Sequence, residues 1–277
     1  AKALVGILPP LGFEEALEVT GIHSAAGTLD NDFLRHAPFR APHHTASYVS
    51  LVGGGAWPRP GEITLAHRGA LFLDEFPEFE RRVIEALRQP LEDRTVTISR
   101  ARGSIKFPAN FILIAAMNLC PCGKTEQKGK TCQCPQGARE RYQRKISGPI
   151  VDRIDIWIDA PNVDPKKLSA HVPDGEPSKI VRARIIKARE VQRKRFMGTT
   201  LRTNSDMGVR DLKRYAPMSV ALTEMLNDWA TKLDLSARAY HRTIKLARTI
   251  ADLAGEQNIL GAHLTEALNY RPRLSAN

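Results

Sequence analysis

The residues whose types and spacing can do chemistry begin with Gly69-Ala70-Leu71-Phe72-Leu73-Asp74-Glu75, where four apolar residues run into two adjacent carboxylates. Such a run predicts a buried parallel strand with the acids at its carboxyl end, the edge at which open α/β sheets place ligands. In nucleotide hydrolysis an acid at this point, Asp74, holds Mg2+ through water, while its neighbour Glu75 orients and deprotonates the attacking water. The plainer reading is a strand end followed by a solvated acidic turn. Residues 111–116 predict a second buried strand, and Asn118 follows it. Beside the first strand, its amide would hydrogen-bond a γ-phosphate or the water; alone, an Asn after a strand is a turn residue. Val151-Asp152-Arg153-Ile154-Asp155 sets an arginine just before a third predicted strand, 154–158. There Arg153 could stabilise phosphate charge in a neighbouring subunit's site, or simply form a surface ion pair.

The stretch CPCGKTEQKGKTCQC, residues 120–134, holds all four cysteines of the chain and two copies of Gly-Lys-Thr. A phosphate-cradling loop needs a glycine five residues before the Gly-Lys-Thr glycine, and those positions are Asn118 and Lys124, so both copies miss. The first copy follows a strand but runs into Glu126-Gln127-Lys128-Gly129 without the apolar helix a phosphate loop needs. Two Cys-x-Cys pairs, Cys120/Cys122 and Cys132/Cys134, instead offer four thiolates for a tetrahedral Zn2+ site, with lysines between them to offset its negative charge. Four reduced thiols in a flexible insertion are the alternative. The adjacent pair His43-His44 could be read as metal ligands, but adjacent imidazoles diverge and no acidic partner is expected nearby, so the pair reads as loop-structuring.

The elements that must position these groups divide the chain. Residues 1–160 alternate apolar runs with amphipathic segments and predict an α/β unit. It comprises a helix from Phe13, strands at 63–65 and 70–73, a helix opening at Pro77 with Phe79, Val83 and Leu87 on one face, and a hairpin of 95–98 with 104–107. The hairpin tip, 99–103, is basic. Residues 161–177, punctuated by prolines, read as a linker. Residues 178–277 predict a small helical unit: a strongly basic helix over 178–196, then helices at 220–232, 236–254 and 263–270, with Ser236 as N-cap and Gly255 just past the C-terminus.

With 277 residues and 42% hydrophobic composition, the chain is large enough for a real core. A formal net charge of +11 makes a polyanion partner plausible without defining a site. No run of about 18 apolar residues and no signal-peptide pattern occurs, so no membrane association and a cytoplasmic location are expected. Four cysteines clustered within 120–134 do not make a disulfide framework.

The order GALFLDE, hairpin, ILIAAMN, SGPIVDRIDI and LSARAYHRTIKLARTIADL resembles the AAA+ ATPases of the magnesium-chelatase-like branch along most of the chain. Within that branch, FRAPHHTAS, LVGGG, PRPGEITLAHRG, CPCG and HLTEALNYR are similar to motifs of the bacterial competence-associated helicases. The resemblance implies an AAA+ parallel-sheet core with a C-terminal α-helical lid, using ATP and Mg2+. Asp74 and Glu75 would be its Walker B pair, Asn118 sensor 1, Arg153 the arginine finger acting in trans, and Arg238 sensor 2, with Arg242 one turn on as the alternative. It also implies a structural role for Zn2+ on the four cysteines, a homo-oligomer of hexameric form, and single-stranded or branched DNA as partner. The task would be helicase-driven branch migration during integration of transforming DNA. The loop 51–60 with Arg59, and the hairpin tip with Arg100 and Arg102, match positions where this branch inserts hairpins facing the ring pore; arginines there suit backbone phosphates, and solvated turns are the plain alternative. Two other readings stay open: the ATPase subunit of a metal-inserting chelatase, and a non-enzymatic DNA-binding or scaffold module. The cysteines and the charge favour the DNA reading over the chelatase.

One departure from the pattern matters. The sequence contains no Gly-x-x-x-x-Gly-Lys-Ser/Thr, so the expected AAA+ core is incomplete at its N-terminus, and the resemblance puts the phosphate loop upstream of Ala1, in a longer protein. Without that loop's backbone N–H groups to hold the β- and γ-phosphates, these 277 residues alone are expected to give no micromolar ATP binding in isothermal titration.

Overall fold

The apolar run 70–73 forms a strand, and the sheet around it organises the first half of the chain. In the computed structural model, residues 2–29, 33–55, 57–100, 103–123, 132–160 and 175–272 are described. The chain divides into two compact units, Ala1–Arg153 and Ile154–Asn277, each taken by itself below.

The first unit opens with helices α1 (Lys2–Val5) and α2 (Phe13–Ala26), the second ending on Gly27 in the left-handed conformation. Strand β1 (Phe39–Arg40), helix α3 (Tyr48–Val52), the short strands β2 (Gly53–Gly54) and β3 (Arg59–Pro60), and helix α4 (Glu62–Leu65) lead into β4 (Ala70–Leu73). A 3-10 turn over Phe76–Glu78 is followed by α5 (Arg81–Ala86) and α6 (Arg88–Asp93), then by β5 (Thr95–Arg100), β6 (Gly103–Pro108) and β7 (Ile112–Ala115). Helices α7 (Gln136–Gln143) and α8 (Gly148–Val151) complete the unit.

Strands β1, β4 and β7 form a parallel sheet with β4 in the middle, in register Ala70↔Ile112 through Leu73↔Ala115. This is the α/β class expected. Ala70, Leu71 and Leu73 are fully buried, as are Val83 on α5 and Leu87 between α5 and α6. Gly69 is required where β4 begins, because a Cβ there would lie 1.9 Å from the Pro38 carbonyl oxygen. Just before it, His67 accepts the Asn110 N–H on Nδ1 at 3.0 Å and meets Glu18 through Nε2 at 3.1 Å. Burial lowers the His67 pKa, outweighing the attraction of Glu18, so the ring is neutral and keeps this donor and acceptor arrangement. Strands β5 and β6 pair antiparallel from Thr95↔Pro108 to Arg100↔Gly103. This is the expected hairpin; its tip at 101–102, including Arg102, lies outside the described residues.

Three sequence expectations are corrected. Residues 63–65 are helical, not a strand: Leu65 and Ala66 donate their N–H groups to Gly61 and Glu62 at 2.9 and 3.0 Å, closing a helical turn after extended Gly61. Ile63, Thr64 and Leu65 are all buried, so three residues carry no alternation to tell strand from helix. Strand β7 is not buried: it is an edge of the sheet among the described residues, and Ile112 is 42% exposed. Residues 154–158 form no strand; Trp157 donates its N–H to the carbonyl of Tyr270, beyond the last helix, at 2.9 Å.

The second unit is helical: α9 (Ser178–Arg195), α10 (Val209–Tyr215), α11 (Val220–Lys232), α12 (Ala237–Ala254) and α13 (Gly261–Asn269). Ser236 caps α12 by accepting the Ala239 N–H, and Gly255 ends it in the left-handed conformation, as expected. Helix α10 was not foreseen. The apolar positions of α9 are only half covered, with Ile180 52% and Val191 43% exposed. The predicted linker falls mainly on 161–174, outside the described residues.

Phe196, Met207, Leu226, Ile244 and Leu264 pack the core of this unit. Across one end of it, fully buried Asp252 takes both Arg195 and Arg248, with Asn204 Nδ2 donating to it at 2.7 Å. Arg248 also donates to the Gln257 and Glu256 carbonyls at 2.8 and 2.7 Å, tying down the chain past Gly255. Burial opposes ionisation of Asp252, but the hydrogen bonds from Arg195 and Asn204 and the charge of Arg248 outweigh it and hold its pKa below the usual carboxylate range. A depressed folded pKa stabilises the fold above the unfolded value of about 3.9, and that contribution disappears as pH falls through the folded value. Asp252→Ala strands two arginines and should destabilise this unit by roughly 3–5 kcal/mol in urea unfolding followed by circular dichroism at pH 7. The loss should shrink at pH 2.

Candidate functional site

The parallel pairing of β4 with β7 continues past the last strand residue. Ala116 donates its N–H to Leu73 O at 3.0 Å, and Phe76 donates to Ala116 O at 2.9 Å. These bonds hold the turn Asp74-Glu75-Phe76 against the segment leading to Asn118, so both groups emerge at the carboxyl edge of the sheet. Phe76 is buried beneath the turn, while Asp74 and Glu75 are exposed.

The turn itself is tight. Asp74 Oδ1 accepts the Glu75 N–H at 2.9 Å, and Glu78 donates its N–H to Glu75 O at 2.7 Å. Glu75 sits at φ 51°, in the left-handed region that a residue with a Cβ enters at a cost of roughly 1 kcal/mol.

The loop after β1 brings a third group to this edge. His44 Nδ1 lies 2.8 Å from Glu75 Oε2. Its ring stands 4.1 Å from that of His43, whose Nδ1 meets Thr45 Oγ1 at 2.9 Å, and the edge of Phe79 flanks it at 6.5 Å. The expectation that the histidines have no acidic partner is therefore wrong for His44. The signal was hard to find because β1 has only two residues and gave no strand pattern to place the following loop at the sheet edge. Three neighbouring strands thus deliver an imidazole, two carboxylates and a carboxamide to one edge. An exposed Asp74 suits a hydrated divalent cation, and Glu75 suits proton abstraction once His44 releases it.

Arg153, after α8, is tied within its own chain. Its Nε lies 3.1 Å from Glu92 Oε2 on α6, and Nη1 donates to Pro149 O at 2.7 Å. In the second unit, Arg238 is partly buried in the first turn of α12, and Arg242 donates to Asp155 Oδ1 at 2.7 Å.

The four cysteines do come together: their sulfurs all lie within 4.8 Å of one another, with Cys120 to Cys122 at 3.3 Å and Cys122 to Cys132 at 3.7 Å. A tetrahedron of thiolates around Zn2+ at about 2.3 Å has edges of roughly 3.8 Å, so this donor set fits that ion. The residues between the pairs, 124–131, with both Gly-Lys-Thr lysines, lie outside the described residues.

Of the candidate nucleic-acid contacts, Arg59 is exposed on β3 beside Trp57, which is 85% exposed. The β2 and β3 backbones cross closely, since a Cβ on Gly53, at φ 99°, would lie 2.4 Å from Arg59 O. Arg100 ends β5, with its backbone paired to Gly103.

Comparison with known proteins bears on both units. Residues 1–168 match the family model of the magnesium chelatase subunit ChlI, and residues 175–271 match that of the ChlI C-terminal region. Competence protein ComM of Haemophilus influenzae is 46% identical over 98% of this chain and 52% of its own length. The uncharacterized protein YifB of Salmonella typhimurium is 44% identical over 98% of the chain and 53% of its own. The uncharacterized protein Rv2897c of Mycobacterium tuberculosis is 40% identical over 98% and 54%. The chain spans about half the length of the curated relatives it matches.

The strain at Glu75 is testable without any ligand. Glu75→Gly and Glu75→Ala both remove the pairing with His44, but only glycine relaxes at φ 51°. The glycine variant should exceed the alanine variant in stability by about 1 kcal/mol in chemical unfolding of the first unit.

Proposed function

The chain belongs to the magnesium chelatase subunit ChlI family, and from that membership we propose that it supplies, in the whole protein, the hydrolytic edge of an ATP-driven motor acting on DNA. An AAA+ ATPase-type protein follows from the family. The observation that carries the site is the delivery of Asp74, Glu75 and Asn118 to one sheet edge by adjacent parallel strands. The DNA substrate, a hexameric ring, a branch-migration task in natural transformation and a cytoplasmic location rest on less. They draw on the similarity to a competence protein, the net charge of +11 and the absence, among the described residues, of a helix long and apolar enough to cross a membrane.

In this mechanism Asp74 holds the hydrated Mg2+, which when bound neutralises charge on the β- and γ-phosphates. Glu75 exchanges its contact with His44 for the attacking water and takes its proton. The Asn118 carboxamide orients that water or the γ-phosphate. Arg153 exchanges Glu92 for phosphate charge in the next subunit's site, and the sensor 2 role falls to Arg238, with Arg242 as the alternative. Arg59 and the hairpin-tip arginines Arg100 and Arg102 are the candidates for contact with the DNA backbone. The four cysteines would hold Zn2+ and, as a set of four protein ligands, would give it a structural rather than a catalytic role. A second reading, the ATPase subunit of a chelatase-type complex, shares this edge and differs in its partner.

In the full-length protein, Glu75→Gln should keep ATP binding and lower turnover by about a hundredfold or more, while DNA binding should weaken steeply with added salt. Unchanged turnover removes Glu75 from its role. Salt-insensitive or absent DNA binding favours the chelatase reading.

A further inference from the structure

The cysteine cluster is joined to Asn118 from both sides. The chain leaves β7 at Ala115, passes Asn118 and reaches Cys120, which is fully buried, and Cys122. It returns through Cys132 and Cys134 directly into α7, whose buried Tyr142 lies close to the Asn118 backbone. The turn joining the first pair closes when Gly123 donates its N–H to Cys120 O at 3.1 Å. Gly123, at φ 65°, lies against the Asn118 amide: a Cβ there would stand 3.6 Å from both Cγ and Nδ2 of Asn118 and 3.8 Å from Oδ1. Below α7, Lys145 Nζ reaches Glu78 Oε2 at 2.9 Å, tying the same segment to the turn that carries Glu75.

We propose that the four cysteines hold one Zn2+ ion whose purpose is to position Asn118, so that metal occupancy controls turnover at the Asp74-Glu75 edge without controlling nucleotide affinity. The inference rests on the ATPase reading above for its kinetic part and on the sulfur geometry alone for its metal part. With the ion in place, Cys120 and Cys122 are cross-linked to Cys132 and Cys134, and the turn from Cys120 to Gly123 is fixed where it lies against Asn118. Without it, four close sulfurs lose the charge that draws them together. Edge strand β7 has no described neighbour on its outer side to steady the segment instead.

The test uses the full-length protein purified without chelator. It should contain about one zinc per chain, and cobalt exchanged for zinc should give the intense thiolate-to-cobalt charge-transfer absorption of a tetrahedral cysteine site. Cys132→Ser with Cys134→Ser should lose the metal and lower kcat by about tenfold to a hundredfold, the scale of a misplaced group, while ATP affinity stays within about twofold. Cys134→His in the otherwise wild-type protein, which keeps four ligands, should retain both zinc and kcat. Asn118→Ala should lower kcat comparably in the wild-type protein and add little in the serine background, because both changes remove one interaction. Circular dichroism on every variant separates a local effect from unfolding. Metal-free wild-type protein overturns the ion site; zinc that can be removed with kcat unchanged, or a loss of ATP affinity equal to the loss of turnover, overturns the positioning of Asn118. If the wild-type protein hydrolyses no ATP, the motor reading falls, and the zinc content and cobalt spectrum still decide the metal site.

Discussion

The rest of the first unit depends on the parallel register of β4 with β7 and its continuation past the strands. Because side chains alternate across a strand, a slip of one residue would exchange Leu71 and Leu73 with Ala70 and Phe72 between the two covered faces and rotate the acids away from the edge. Two backbone bonds, Ala116 to Leu73 and Phe76 to Ala116, prevent that slip where it would matter most. At the other end, the bonds of Arg68 and His67 with Asn110 and the missing Cβ of Gly69 set where β4 begins. The strand is thereby clamped at both ends, and the position of its terminal carboxylates follows from backbone geometry rather than from side-chain packing around them.

How much of this was legible in the sequence follows from how local each signal is. Strand β4 was readable because four apolar residues end abruptly in charge, and the β5–β6 hairpin because both strands alternate around a glycine-bearing turn. The helical unit was readable from 3.6-residue periodicity and from Ser236 and Gly255 at the ends of α12. The errors fall where three to five residues had to decide between states, at 63–65 and 154–158, or where burial depends on a neighbour rather than on the strand's own composition, at β7. At the site, Asp74, Glu75 and the cysteine cluster came from residue type and spacing. His44 and Tyr142 did not, because their contacts with Glu75 and Asn118 span 31 and 24 positions of chain and depend on a two-residue strand and on a helix that follows the cysteine loop.

The groups assigned to phosphate chemistry share a state in which each already has a local partner: Glu75 with His44, Arg153 with Glu92, Arg242 with Asp155. The pairing of Arg153 is the most consequential, since its side chain is only 13% exposed and an unpartnered guanidinium at that depth would be costly to leave. An exchange of one carboxylate for phosphate oxygens keeps the arginine neutralised throughout, so the change in energy between the two states is far smaller than the strength of either contact. The same holds for Glu75, whose contact is exposed and weak by comparison and whose left-handed backbone stores strain in the turn. On the proposed function, the edge is therefore a resting arrangement in which release of Glu75 is easy and release of Arg153 is demanding. Hydrolysis would then be gated less at the carboxylate than at the arginine, which a neighbouring subunit must draw from Glu92 by offering an anion of equal or greater charge.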